Sequence, residues 1–172
     1  MRHHRAARLG APWKASMVEV TIPGSATLRL EHLVLDFNGT LACDGVLVDG
    51  VADRIGRLAD VLRIHVLTGD TFGTAAKALA DLRCAVHVLQ HTAQAEAKRD
   101  YVAALDAEAV VCVGNGRNDR LMMEEAAVAI AVVQSEGASA ATLAAADVVA
   151  PHIRDALDLL LRPLRLTATL RG

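Results

Sequence analysis

The stretch Leu33-Val34-Leu35-Asp36-Phe37-Asn38-Gly39-Thr40 decides the fold. Its first residues read as a buried strand that delivers a carboxylate directly into a turn. Gly39 lets the backbone turn tightly, and Thr40 offers a hydroxyl to the turn or to a phosphate oxygen. On these residues alone, Asp36 reads as a nucleophile, a metal ligand or the cap of the next element.

Working outward, strands and helices alternate. Segments 18–22 and 27–30 flank Pro23-Gly24-Ser25 and predict a hairpin. Segment 45–49 predicts a small two-stranded flap. Helical spacing predicts helices over 51–62, 71–82, 93–105, 121–127, 137–146 and 153–161. Further strands are expected over 64–67, 85–89, 110–113, 128–132 and 147–149. This alternation implies a mainly parallel sheet with helices on both faces, an α/β three-layer Rossmann-like fold. Ligands of such sheets bind at the carboxyl ends of the strands. Three of those ends carry polar residues here: Asp36, Thr68 and the run Asn115–Asp119.

Composition narrows the function. Aromatic residues are 2% of the chain, so the core is aliphatic, and their scarcity argues against base-stacking platforms. A net charge of −2 excludes strong attraction to nucleic acid or anionic membrane. The three cysteines stand singly, which fits a reducing, cytoplasmic setting better than a zinc or disulfide framework. The longest apolar run, 126–133, has eight residues, too few for a membrane span. Residues 1–16 are basic, lack acidic residues and lack an apolar stretch, and read as a disordered tail before one domain over 17–172.

The polar turns resemble the motifs of the haloacid dehalogenase (HAD) superfamily, in order. Asp36-Phe37-Asn38-Gly39-Thr40 resembles motif one. Leu67-Thr68-Gly69-Asp70 resembles motif two, and Lys98 stands where the motif three lysine is expected. Gly114-Asn115-Gly116-Arg117-Asn118-Asp119 resembles motif four. Motifs two and four are especially similar to those of the P-type ATPase phosphorylation domain. The chain resembles the small soluble P-type-ATPase-like proteins of the superfamily. The resemblance implies a Mg²⁺-dependent hydrolase in which Asp36 attacks phosphorus and forms an aspartyl-phosphate. Thr68, Gly69 and Asn118 would hold the substrate, and Lys98 would offset negative charge. Asp36, Asn38, Asn115 and Asp119 would surround the metal.

Two positions depart from the pattern, each with Asn in place of Asp. Asn38 stands where the family has its general acid/base, and an amide cannot shuttle a proton. Such a loss removes about 10²–10⁴-fold in rate, most for alcohol phosphates whose alkoxide needs a proton. Asn115 replaces a metal-binding carboxylate and weakens Mg²⁺ affinity. A catalytically weak or inactive module that binds a phosphoryl ligand or a partner protein is therefore the alternative reading, beside a subunit that docks on a membrane transporter.

The motifs lie 32 residues apart (Asp36 to Thr68) and 30 apart (Thr68 to Lys98), which leaves room for a flap but no cap domain. Closing the site would then fall to a second copy of the chain or to a macromolecular substrate. The expected partners are a phosphorylated small molecule or phosphoprotein and a homo-oligomeric copy. His87, His91 and His152 read as structural or exposed, and Arg117 and Arg120 as a solvated helix face.

Overall fold

The computed structural model describes residues 17–70 and 73–172. The expected basic tail lies outside the described residues, as do the first two positions of the helix expected over 71–82. Strands β1 (Val18–Thr21) and β2 (Thr27–Leu30) pair antiparallel around the Pro23-Gly24-Ser25 turn. Strand β3 (His32–Asp36) follows, then the flap strands β4 (Ala42–Cys43) and β5 (Val46–Leu47). The rest runs α1 (Val51–Leu58), β6 (Arg63–Thr68), α2 (Thr74–Ala78), β7 (Ala85–Val88), α3 (Gln94–Ala104) and β8 (Val110–Gly114). One 3-10 turn (Ala107–Ala109) precedes β8, and another (Arg117–Asp119) leads into α4 (Arg120–Glu125), β9 (Val128–Val132), α5 (Ala140–Ala145), β10 (Val148–Ala150), α6 (Ile153–Leu161) and α7 (Pro163–Leu170).

Six strands form one parallel sheet in the order β10-β9-β8-β3-β6-β7. The chain leaves β3 toward β6 and β7, then returns to β8 and continues outward the other way. The carboxyl end of β3 is thus the point where strand order reverses, the usual crevice for a ligand in open α/β sheets.

Strand alternation sorts the aliphatic residues onto two faces. Leu33, Leu35, Ile64, Val66, Val111 and Val113 join one core with Val51, Ile55 and Leu58 of α1 and Ile153, Leu157 and Leu160 of α6. Val34, Leu67 and Cys112 join the other with Val102 of α3 and Met122 and Met123 of α4. Each buried Leu, Ile or Val contributes about 1.5–3 kcal/mol, so an aliphatic core suffices without aromatic bulk.

Several helices are shorter than their periodicity suggests. The first stops at Leu58, and tight turns carry the chain on to the buried Leu62. Helix α5, expected over 137–146, begins only after the left-handed Gly137 and the extended Ser139. Helix α7 is an addition: Pro163 ends α6 but stands in the first turn of a new helix, where its missing N–H costs nothing. Between Asp36 and α1 the chain holds only the flap, in keeping with a capless fold.

Candidate active site

Asp36 closes β3, and the turn after it folds back. Thr40 N–H and Ala42 N–H donate to the Phe37 carbonyl, and Gly39 N–H donates to the Ala42 carbonyl at 2.8 Å. Gly39 is left-handed (φ 77°), and a Cβ there would strike the Asn115 amide, so glycine is required twice over. The turn returns the buried Thr40 hydroxyl to 3.2 Å from Asp36 Oδ2.

The same hydroxyl lies 3.2 Å from Asn115 Oδ1. Asn115 Nδ2 donates to the Gly137 carbonyl at 3.0 Å, which fixes the amide with its oxygen inward. One hydroxyl proton serves one acceptor, so of Asp36 Oδ2 and Asn115 Oδ1 one lacks a proton at any moment. Two converging oxygens short of one positive partner suit a hard cation.

Lys98 projects from α3 between two carboxylates. Its Nζ lies 2.6 Å from Asp36 Oδ1 and 2.6 Å from Asp119 Oδ1, with all three groups almost sealed from solvent. Asp119 Oδ2 accepts the N–H groups of Asn115 (3.0 Å) and Gly116 (2.8 Å). Asp119 is thus held deeper than Asp36, with both oxygens engaged by Lys98 and the loop.

Two carboxylates and one ammonium leave this buried group one negative charge in excess. Burial and the Asp119 charge push the Asp36 carboxyl up to about 7, against the opposing pull of Lys98 and Thr40. Burial alone would lower the Lys98 ammonium, but Asp36 and Asp119 outweigh it and hold it above its ordinary value. The site therefore favours a bound proton or an added cation.

Thr68 ends β6 beside β3, since Leu67 pairs with Asp36. It is buried, and its hydroxyl accepts the Asp70 N–H at 3.1 Å. Asn38 is exposed at the rim, next to the flap that Asp44 N–H pins to Glu136 Oε1 at 2.8 Å. The structure thus gathers Asp36, Thr40, Lys98, Asn115 and Asp119 into one bonded group. Thr68 stands at the adjoining strand end, and Asn38 lies at the rim.

Two glutamines complete the loops. Gln134, after β9, donates from Nε2 to the carbonyls of Gly39 (3.0 Å) and Thr40 (2.8 Å) and accepts the Ile153 N–H at Oε1 (2.9 Å). Gln94 covers Gly69, where a Cβ would collide with its amide, and its Oε1 accepts from Asn118 Nδ2 at 2.9 Å. Asn118 in turn lines a cavity of about 460 Å³ between α3 and α4. Sequence reasoning passed over both glutamines. For Gln134 the available signal was a polar side chain leaving the apolar strand β9, as Asp36 leaves β3; Gln94 opens α3 and carried no such signal.

An uncharacterized protein of Methanocaldococcus jannaschii is 45% identical over 62 residues, which are 36% of this chain and 67% of that one. Cobalt-bound deoxy-D-mannose-octulosonate 8-phosphate phosphatase of Haemophilus influenzae superposes with a TM-score of 0.65 and 17% identity, over 83% of this chain and 94% of that one. The chain belongs to the archaeal protein's family, and its fold is the HAD fold. A second phosphatase of that kind, from Moraxella catarrhalis and in complex with a magnesium ion, a phosphate ion and KDO, matches with a TM-score of 0.61 and 16% identity, over 77% and 86% of the two chains. A zinc-transporting PIB-type ATPase in its E2.Pi state matches at 29% identity and a TM-score of 0.57, over 72% of this chain but 20% of the ATPase. No protein-family model matches the chain.

Proposed function

We propose that the chain is a metal-dependent phosphohydrolase or phosphotransferase that acts on phosphorylated small molecules through Asp36. The observation that carries this reading is the convergence of Asp36 Oδ2 and Asn115 Oδ1 on the Thr40 hydroxyl, beside the buried Lys98. Asp36, the Asn38 carbonyl and Asn115 would hold a divalent cation, with Asp119 behind them; Mg²⁺ suits this all-oxygen set. When bound, that cation supplies charge neutralisation at the phosphoryl oxygens.

The chain's own residues do the rest. Asp36 attacks phosphorus with one carboxylate oxygen, and the P–O bond to the leaving group breaks as the new one forms. Lys98 favours the ionised form of Asp36 and offsets the incoming charge. Thr68 and the Gly69 amide receive phosphoryl oxygens, and Asn118, steadied by Gln94, bounds the space for the leaving group. Water then hydrolyses the aspartyl-phosphate. No carboxylate stands at position 38 to take the proton of that water, so this step is slow.

Asn38 sets the substrate preference. Acyl and aryl phosphates leave as stable anions and need no proton, whereas alcohol phosphates do. A second reading, a phosphoryl-binding module with little turnover, is favoured by the amides at 38 and 115. Acetyl phosphate with Mg²⁺ separates the two. The enzyme gains about 80 Da on Asp36 and the binding module does not.

The open site calls for a cover, and a second copy of the chain is the proposed one. Light scattering at about 10 μM checks this. A monomeric mass would contradict it.

A further inference from the structure

Gln94 and Lys98 stand four residues apart on α3 and share one face of it, as positions i and i+4 of a helix do. Lys98 reaches Asp36 and Asp119 from that face. Gln94 looks onto the same site, and topology fixes its level there. Helix α3 joins β7 to β8 in a parallel sheet, so it starts at the carboxyl ends of the strands and runs back along them. Four residues of helix rise about 6 Å. Gln94 therefore stands about 6 Å above Lys98, on the open side of the Asp36 carboxylate. A phosphoryl group attached to Asp36 occupies that side.

The Gln94 amide is held in one orientation. Its Oε1 accepts from Asn118 Nδ2 at 2.9 Å. Its Nε2 lies against Gly69, where an added Cβ would strike it. Among the described residues no acceptor meets Nε2. The side chain thus presents two N–H groups beside the Gly69 backbone, with its oxygen already engaged. A glutamate at this position would accept from Asn118 equally well, so that bond alone does not distinguish an amide from a carboxylate. What the amide adds is a donor, and a donor suits an anionic group where a carboxylate would repel it.

We propose that Gln94 is a phosphoryl-binding residue whose Nε2 donates to an oxygen of the phosphoryl group on Asp36, beside the Gly69 amide. The proposal rests on the reading of Asp36 as the phosphoryl carrier. It gives α3 two contacts with the reacting group, a charged one from Lys98 and a neutral one from Gln94. The same amide ties the loop after β8 to the end of β6, because Asn118 holds its oxygen while Gly69 lies under its nitrogen.

The test uses the full chain and inorganic phosphate in the presence of Mg²⁺, with affinity read by calorimetry, independent of turnover. Gln94→Ala is expected to weaken phosphate binding about tenfold, the usual effect of losing one bond to a charged group. A double-mutant cycle with Asn118→Ala separates the direct contact from an effect through Asn118. The expected result is a further loss of about tenfold when Gln94→Ala is added to Asn118→Ala. A residue that only steadied Asn118 would give no further loss there. Gln94→Glu keeps the acceptor for Asn118 but turns a carboxylate toward the phosphate, and is expected to bind it more weakly than Gln94→Ala does. Unchanged affinity in Gln94→Ala, no further loss in the double variant, or binding by Gln94→Glu as tight as by Gln94→Ala would each overturn the proposal alone. A wild type that binds no phosphate would remove the reading of Asp36 as the phosphoryl carrier, and the proposal with it.

Discussion

Lys98 Nζ lies 2.6 Å from Oδ1 of Asp36, where α3 crosses the end of the central strand. The pair is nearly closed to solvent, and Asp119 shares the ammonium from the other side. Removing Lys98 would leave two carboxylates buried together. Lys98→Met is expected to lose about 3–5 kcal/mol of stability above neutral pH. The loss shrinks in acid, because Asp36 takes a proton to replace the missing cation. Denaturant melts at two pH values check this.

The pH dependence of stability in the metal-free protein has two opposing parts. Asp36 is raised from 3.8 to about 7 on folding, so the folded state binds more protons between those values, and stability falls as pH rises through them. His65 is lowered from 6.5 to about 4, so the unfolded state binds more protons there, and stability falls as pH drops through that window. Between about pH 4 and 6.5 these two slopes, each up to about 1.4 kcal/mol per pH unit, oppose one another, and the lowered His32 adds to the histidine side. Asp36→Asn removes the first. The variant should gain stability from about pH 4 to 6.5 more steeply than the wild type. Melting temperatures across that range test the sign.

Gln134 holds the Gly39 and Thr40 carbonyls with one amide. Gln134→Glu turns a carboxylate toward two carbonyls, keeps the Ile153 contact and loses both donated bonds. The expected loss is about 1–3 kcal/mol, with a fall in kcat of up to about 10²-fold. Gln134→Ala should behave alike. Loss of stability without loss of kcat would make Gln134 a structural tie only.

Asn38 lies at the open rim, so it is replaced without packing strain. Asn38→Asp should restore a proton carrier. Hydrolysis of a sugar phosphate is then expected to rise about 10²–10⁴-fold, with a much smaller gain for acetyl phosphate. Equal gains on both substrates would contradict the role given to position 38.

Much of this was legible in the residues. Leu33-Val34-Leu35 is apolar on both faces, as a central parallel strand must be, and Asp36, Thr68 and Asn115 mark the ends of three adjacent strands. Helix ends were less legible, because left-handed Gly137 delays the start of α5 and the turns after Leu58 end α1, where apolar spacing alone would extend both. Pro163 reads as a stop and is also a start. The roles of Gln94 and Gln134 were less legible still. Their meaning comes from neighbours on other elements, and no single segment contains both partners of those bonds.

The central claim is that Asp36 carries the phosphoryl group. Intact mass after incubation with acetyl phosphate, with and without Mg²⁺, tests it most directly. The account predicts a Mg²⁺-dependent species about 80 Da heavier that decays slowly, is absent in Asp36→Asn and decays faster in Asn38→Asp. No such species and no phosphate release, even with Asn38→Asp and Asn115→Asp combined, would contradict it and leave a phosphoryl-binding module.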